Sequence, residues 1–178
     1  MKTIFKKTTY LIASILLLTP LGGCGYRNAN VYSGDERQIY LSEWRNRTSK
    51  LAISSNLYRS LVQWYQKSSK LKTTNSQDEA DLILAGEIIS LYLPSLSYTD
   101  RTTSEVKVIL KVRYVLYDMT TKEILFEVPS ETWTESYIPN STSSSSPEKE
   151  NKALKEIVDD ISRKIYQQTL RTLRKQNM

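Results

Sequence analysis

The chain has 178 residues, a length that fits one domain, and its 25 basic residues outnumber 19 acidic ones. It contains no histidine, which excludes catalytic triads and metal sites built on that residue. The single cysteine excludes an intramolecular disulfide.

The first residues predict an export signal. Three lysines among the first seven residues precede an apolar run, 11–18, which is shorter than the roughly 20 apolar residues that cross a membrane. The sequence Leu-Gly-Gly-Cys at 21–24 then resembles the lipobox of bacterial lipoproteins, in which a peptidase cuts before a cysteine that carries diacylglycerol. We therefore expect a signal peptide over residues 1–23, cleavage between Gly23 and Cys24, and lipidation of Cys24.

The residues that follow are interpreted as a lipidated tether over 24–37, because they are polar and precede the first predicted strand. By resemblance to lipoprotein sorting in enteric bacteria, the absence of aspartate at Gly25 favours the outer membrane. Several acyl chains on Cys24 anchor a protein stably, whereas one chain binds only marginally. Without residues 1–23 the basic excess falls from six to three, which is too small to indicate nucleic-acid binding.

The first half of the domain reads as a strand followed by a helix. Residues 38–44 form the predicted first strand, and Thr48 or Ser49 is a candidate cap for the helix that follows. This helix is predicted over 51–67 because apolar residues recur at steps of three and four. Those residues are Leu57, Tyr58, Leu61, Val62 and Tyr65. The polar residues 73–79 are predicted to be a connection.

Three strands come next. Residues 82–93 are apolar on both faces, which predicts a central strand, and Gly86 within it indicates a bulge or a close backbone contact. Residues 105–118 alternate with a period of two, which is typical of a strand with one buried face. A further strand begins at 124–128, and Pro129 predicts an interruption and an edge position before the strand resumes near Trp133.

A serine-rich segment within 139–151 is interpreted as a loop, and a helix is predicted from Ser146 to about Lys175. The predicted order is therefore β-α-β-β-β-α. Two apolar helix stripes need a surface to cover, which indicates an α+β two-layer sandwich over 38–178. In this sandwich both helices pack on one face of a four-stranded sheet.

The ordered set of motifs resembles the LPS-assembly lipoproteins, the LptE family. The lipobox, the "NRT" at 46–48, the pattern A-D-x-x-L-x-G-x-I at 80–88 and the segment 96–118 carry the resemblance. It implies a non-enzymatic role as a plug inside LptD, the outer-membrane β-barrel that delivers lipopolysaccharide to the cell surface. It also implies that the protein helps this barrel assemble and makes lipopolysaccharide a candidate ligand. No catalytic residue, metal or cofactor is expected.

Candidate contacts with the barrel or with lipopolysaccharide lie in two places. Cationic side chains on the sheet face that the predicted helices leave uncovered can meet acidic groups or phosphates. The loop between the first two long strands adds two apolar residues and an arginine. The six candidates are Lys107, Lys111 and Arg113 on the face and Leu96, Tyr98 and Arg101 in the loop. A plain solvated face and an ordinary hairpin tip remain the alternatives.

Two other functions compete with this interpretation. Lipoproteins that activate a cell-wall synthase or belong to a curli-type secretion pore also combine a lipobox with a strand and a similar turn. We would expect their domains to place further helices between strands, which the segment 82–137 does not suggest. A hydrolase using Glu87 or Glu105 with Asp100 is the enzyme alternative, but no motif holds two of these carboxylates together.

Overall fold

The computed structural model describes residues 32, 34–99, 102–139 and 146–176. Over these residues the chain forms seven strands and two helices. The strands are β1 (Arg37–Leu41), β2 (Arg45–Asn46), β3 (Leu71–Thr74), β4 (Leu82–Tyr92), β5 (Ser95–Thr99), β6 (Thr102–Asp118) and β7 (Glu123–Tyr137). The helices are α1 (Ala52–Tyr65), between β2 and β3, and α2 (Ser146–Gln176), after β7.

All seven strands belong to one mixed sheet. β1 lies between β3 and β4 and is parallel to both, and β2 continues along the same side of β4. β6 is antiparallel to β4 and β5 on one side and to β7 on the other. The long antiparallel strands thus form the middle and one edge of the sheet, and the short parallel strands form the other edge.

The predicted α+β two-layer sandwich is confirmed. The even-numbered residues of β6 from Val108 to Leu116 are buried, as the alternation predicts, and they join one hydrophobic core with the apolar stripes of both helices. The stripe of α1 is buried at Ile53, Leu57, Leu61 and Tyr65. The sheet contains more strands than the four predicted, because β2, β3 and β5 are short strands that pair along the ends and edge of the long ones.

The predicted first strand is wrong in its extent. β1 ends at Leu41, and Trp44, predicted within this strand, instead places its indole in the core against the backbone of Gly86. A Cβ atom added to Gly86 would lie 2.4 Å from that ring, so the predicted close contact at this glycine is confirmed. The bulge of β4 lies elsewhere, between Ile88 and Ser90.

The polar connection predicted over 73–79 is also partly a strand. β3 occupies 71–74 and pairs with β1, although only Leu71 of its four residues is buried. A single buried side chain produces no alternation of apolar and polar residues, so the sequence of this segment does not predict a strand. The strand forms because the segment pairs with β1.

β7 is an edge strand, as Pro129 predicts. It pairs with β6 alone, and the register slips between Val112 and Tyr114 on β6, which face Glu131 and Val128 on β7. Pro129 and Ser130 on β7 therefore lie opposite the single residue Arg113 on β6, so β7 has one extra residue here. Proline has no N–H to donate to a ladder, so it is tolerated at such a bulge on an edge.

The predicted cap of the first helix is not formed. The N-cap position is occupied by Leu51, which makes no side-chain capping hydrogen bond. The Thr48 hydroxyl instead donates to Asn46 Oδ1 at 2.8 Å, and the Thr48 N–H donates to the same oxygen at 2.9 Å. Asn46 Nδ2 in turn donates to the Lys50 carbonyl at 2.9 Å. The "NRT" motif is thus a structural turn that joins β2 to α1.

Candidate functional site: the open face of the sheet

The sheet face opposite the helices carries the predicted cations. Odd-numbered residues of β6 point to this face, where Lys111 and Arg113 are exposed and Lys107 is half-buried. Ile109 and Val115, on the same face, are half-buried as well. The placement predicted for the three cations is therefore observed, while their role as contacts stays a prediction.

A row of charged residues crosses this face at the level of Arg113. Arg113 on β6 is the register partner of Glu87 on β4, and Glu87 is in turn the register partner of Arg45 on β2. Arg47, two residues after Arg45, reaches the same carboxylate from the turn that follows β2. We call Arg45, Arg47, Arg113 and Glu87 the arginine cluster.

Glu87 is the centre of the cluster. Its side chain is 6% exposed, and its two carboxylate oxygens accept hydrogen bonds from Arg47 Nε and from an Arg113 terminal nitrogen. Arg45 Nε lies 3.9 Å from the same carboxylate. Burial raises the pKa of Glu87, but the hydrogen bonds and charges of Arg47 and Arg113 outweigh burial and hold this pKa below its usual range.

The arginines themselves remain largely in solvent. The side chains of Arg45, Arg47 and Arg113 are 77%, 51% and 52% exposed. A shallow depression of about 360 Å³ lies beside the cluster and is lined by Arg45, Arg113, Glu87 and, from β7, Glu127. Because a guanidinium has five N–H donors, each arginine keeps donors that Glu87 does not use.

The arginine cluster was not predicted from the sequence, although one signal was available. Glu87 is an acidic residue within an apolar strand, and a buried carboxylate requires a cationic partner. The partners Arg45 and Arg47 lie about 40 residues earlier, so the pattern of β4 alone could not identify them. The enzyme alternative also relied on Glu87, and the structure places this carboxylate among arginines that keep it ionised.

The remaining predicted contacts are only partly covered by the structure. The loop predicted for Leu96 and Tyr98 is wrong, because both residues belong to β5, which pairs antiparallel with the beginning of β6. Arg101 and Asp100, like the predicted cleavage and lipidation sites at Gly23 and Cys24, lie outside the described residues. In the part of the chain that the structure describes, no helix is long and apolar enough to cross a membrane.

The chain is similar to a known protein family and to several solved structures. Residues 36–169 match the family LptE, described as lipopolysaccharide-assembly. Comparison with curated protein sequences gives no significant match. All of the similar structures described below are less than 25% identical to the chain, so they bear on its fold alone.

Three of these structures have the same fold. Protein XCC0632 from Xanthomonas campestris has a TM-score of 0.57 at 11% identity, covering 83% of this chain and 94% of its own. Rare lipoprotein B from Shewanella oneidensis has a TM-score of 0.56 at 15% identity, covering 79% of this chain and 99% of its own. Lipoprotein B from Nitrosomonas europaea has a TM-score of 0.54 at 17% identity, covering 83% and 90%.

Proposed function

Because the chain belongs to the LptE family of lipopolysaccharide-assembly proteins, we propose that it is an outer-membrane lipoprotein that plugs the LptD β-barrel. In this role it helps the barrel assemble and contacts lipopolysaccharide on its way to the cell surface. No catalytic step is part of the proposal. The observation that supports it best is the open sheet face with its cations, which no described helix covers.

The mixture of apolar and cationic side chains on the open face suits contact with the surface of a partner protein better than exposure to solvent. Three half-buried apolar residues, Ile109, Val115 and Tyr117, flank the exposed cations Lys111 and Arg113 along this face. Antiparallel sheets tolerate one wet face, but a face of mixed apolar and cationic side chains is also complementary to an acidic surface. The walls of a barrel lumen are polar, and acidic residues there would pair with these cations.

The start of the domain fits attachment through a short lipidated tether. The side chain of Tyr32 is 2% exposed and joins the core, although it lies within the predicted tether 24–37. Tyr32 is eight residue steps after Cys24, and at most about 3.5 Å per step limits this stretch to roughly 28 Å. The domain is therefore proposed to lie close to the lipid that carries it.

The proposal is tested by affinity purification of the full-length chain from detergent-extracted outer membranes. We expect LptD to be recovered with the wild-type chain, and less of it with the triple variant Lys107→Glu, Lys111→Glu, Arg113→Glu, because charge reversal opposes an acidic wall. The matched control reverses three exposed cations on α2, namely Lys152, Lys155 and Arg171. This control is expected to recover the barrel at the wild-type level.

Two outcomes would contradict the proposal. Recovery of a cell-wall synthase or a secretion pore in place of a β-barrel would support the other envelope functions. Equal recovery with the face variant and with the α2 control would show that the open face is not the contact surface.

A further inference from the structure

The arginine cluster contains more positive charge than its buried carboxylate neutralises. Three guanidinium groups surround Glu87, and Glu127 is the other carboxylate that lines the depression. Lys111 is exposed two residues from Arg113 on the same face of β6. The lining itself contains two arginines and two carboxylates, and the excess of positive charge comes from Arg47 and Lys111, which lie beside the depression.

The contacts with Glu87 determine which N–H donors of the three arginines remain unused. An Arg113 terminal nitrogen is held by Glu87 Oε2, and Arg47 Nε is held by Oε1. Arg45 is the least engaged of the three, because its Nε lies 3.9 Å from Oε1 and its side chain is 77% exposed. Arg45 and Arg113 both line the depression, so their remaining N–H groups can meet one ligand there.

We propose that Arg45 and Arg113 bind a phosphate group in this depression, with Glu87 fixing the position of the Arg113 guanidinium. A phosphate monoester carries nearly two negative charges at neutral pH and three acceptor oxygens, so it can engage two guanidinium groups at once. A ligand carboxylate is a weaker candidate for this site, because the Glu87 carboxylate already pairs with these arginines. This inference rests on the proposed function in one respect: if the chain contacts lipopolysaccharide, the phosphate groups of that lipid are one source of the ligand. Free phosphate is the other source.

The test measures binding to the full-length chain captured in non-ionic detergent. The analytes are mixed micelles that contain bisphosphorylated lipid A, and matched micelles that contain the dephosphorylated form. We expect the wild-type chain to prefer the phosphorylated micelles by about tenfold or more, since two charge-assisted contacts are involved. The double variant Arg45→Gln, Arg113→Gln is expected to lose this preference.

Two further variants separate loss of binding from loss of folding. Arg45→Gln alone removes a side chain that barely engages Glu87, so it is expected to weaken the preference without changing the free energy of unfolding. Arg59→Gln removes an exposed arginine from α1, whose terminal nitrogen contacts only Asn56 among the hydrogen bonds described, and is expected to keep the preference.

Inorganic phosphate is then added as a competitor. Competition at millimolar concentration identifies the free anion as sufficient for binding, and preference without competition identifies the phosphorylated lipid as the required source. The inference is overturned if the wild-type chain binds both micelles equally, or if the double variant keeps its preference. Recovery of LptD by the same variants tests the proposed function separately, so a chain that recovers the barrel but ignores phosphate contradicts this inference alone.

Discussion

Gly86 leaves no room for a side chain next to the Trp44 ring. The Trp44 ring lies directly over its backbone and stacks beside Tyr114, with ring centroids 6.1 Å apart. Any side chain at position 86 must displace this indole or bend β4. The glycine is required here by space, and not by an unusual backbone angle.

We therefore expect Gly86→Ala to lower the free energy of unfolding by about 2 kcal/mol, because the added methyl overpacks a filled site. Urea denaturation measures the change. Ser90→Ala, at an exposed position of the same strand, is the control and should change stability by less than about 0.5 kcal/mol. In a Trp44→Phe background the cost of Gly86→Ala should shrink, since the smaller ring leaves room; an unchanged cost would contradict the contact.

Asp118 holds the end of β6 to two other parts of the chain. Its Oδ2 accepts a hydrogen bond from Arg37 at 2.8 Å, and its Oδ1 accepts from the N–H groups of Thr120 and Thr121 in the turn before β7. Burial raises the pKa of Asp118, but Arg37 and the two N–H groups outweigh burial and hold this pKa below its usual range.

The depressed pKa gives a direction to the effect of pH. A carboxyl group that is more acidic in the folded chain stabilises the fold above its ordinary pKa, and this stabilisation is lost as the pH falls through the lowered value. Asp118→Asn keeps the Oδ1 acceptor and removes the charge that pairs with Arg37. We expect it to cost about 2 kcal/mol at neutral pH.

The difference between wild type and Asp118→Asn should then shrink below roughly pH 4. Urea denaturation at a series of pH values measures this change. Asp78→Asn, at an exposed position before β4, is the matched control for loss of an acidic residue. A difference that stays constant down to strongly acidic pH would contradict the ion pair as the cause.

At the scale of elements, the two helices are joined by a buried polar contact as well as by apolar packing. Tyr65 Oη, at the end of α1, lies 2.7 Å from Thr169 Oγ1 on α2, and Thr169 Oγ1 donates to the Ile165 carbonyl at 3.0 Å. The Thr169 proton is thus used within α2, and Tyr65 is the donor between the helices. The Tyr65 ring also meets Tyr166 edge to face.

Thr169→Val should therefore lower the free energy of unfolding by about 2 kcal/mol, because it leaves the Tyr65 hydroxyl buried without this acceptor. The double variant Tyr65→Phe, Thr169→Val removes both polar partners and should recover most of the loss. Thermal and urea unfolding of both single variants and the double variant complete the cycle. Strictly additive effects would contradict a specific hydrogen bond between the helices.

The sequence predicted those elements whose own pattern is long. The alternation in β6 continues over enough residues to define both the strand and its buried face, and the stripe of α1 recurs over four turns. Pro129 also predicted an edge strand for a local reason, its missing N–H. By contrast, β3 has one buried residue, and the two-residue β2 is defined only by its pairing with β4.

The candidate site divides in the same way. Lys107, Lys111 and Arg113 could be placed on the open face because their position follows from the period of a single strand. The arginine cluster could not, because Arg45 and Arg47 meet Glu87 across a parallel pairing of β2 with β4. Pairings between distant segments depend on the whole fold, and no local pattern in a single sequence predicts them.

At the scale of the whole molecule, the proposed location depends on Cys24. Cys24→Ser removes the thiol that would accept the acyl chains, and we expect the chain to leave the membrane fraction and to stop recovering LptD. Fractionation of cells that express the variant measures both. Asn28→Ser, in the proposed tether, is the control and should not alter fractionation. A Cys24→Ser chain that is still processed and retained in membranes would contradict lipid attachment.

The length of β6 has a consequence for how far this domain can reach. At about 3.3 Å per residue, its 17 residues extend over roughly 55 Å, more than the 40–45 Å of a lipid bilayer with its headgroups. The Arg37–Asp118 ion pair sets the beginning of β1 at one end of this strand, and β5 pairs at the other. A domain held by its N-terminal end in one leaflet could therefore present the β5–β6 end at the depth of the opposite leaflet.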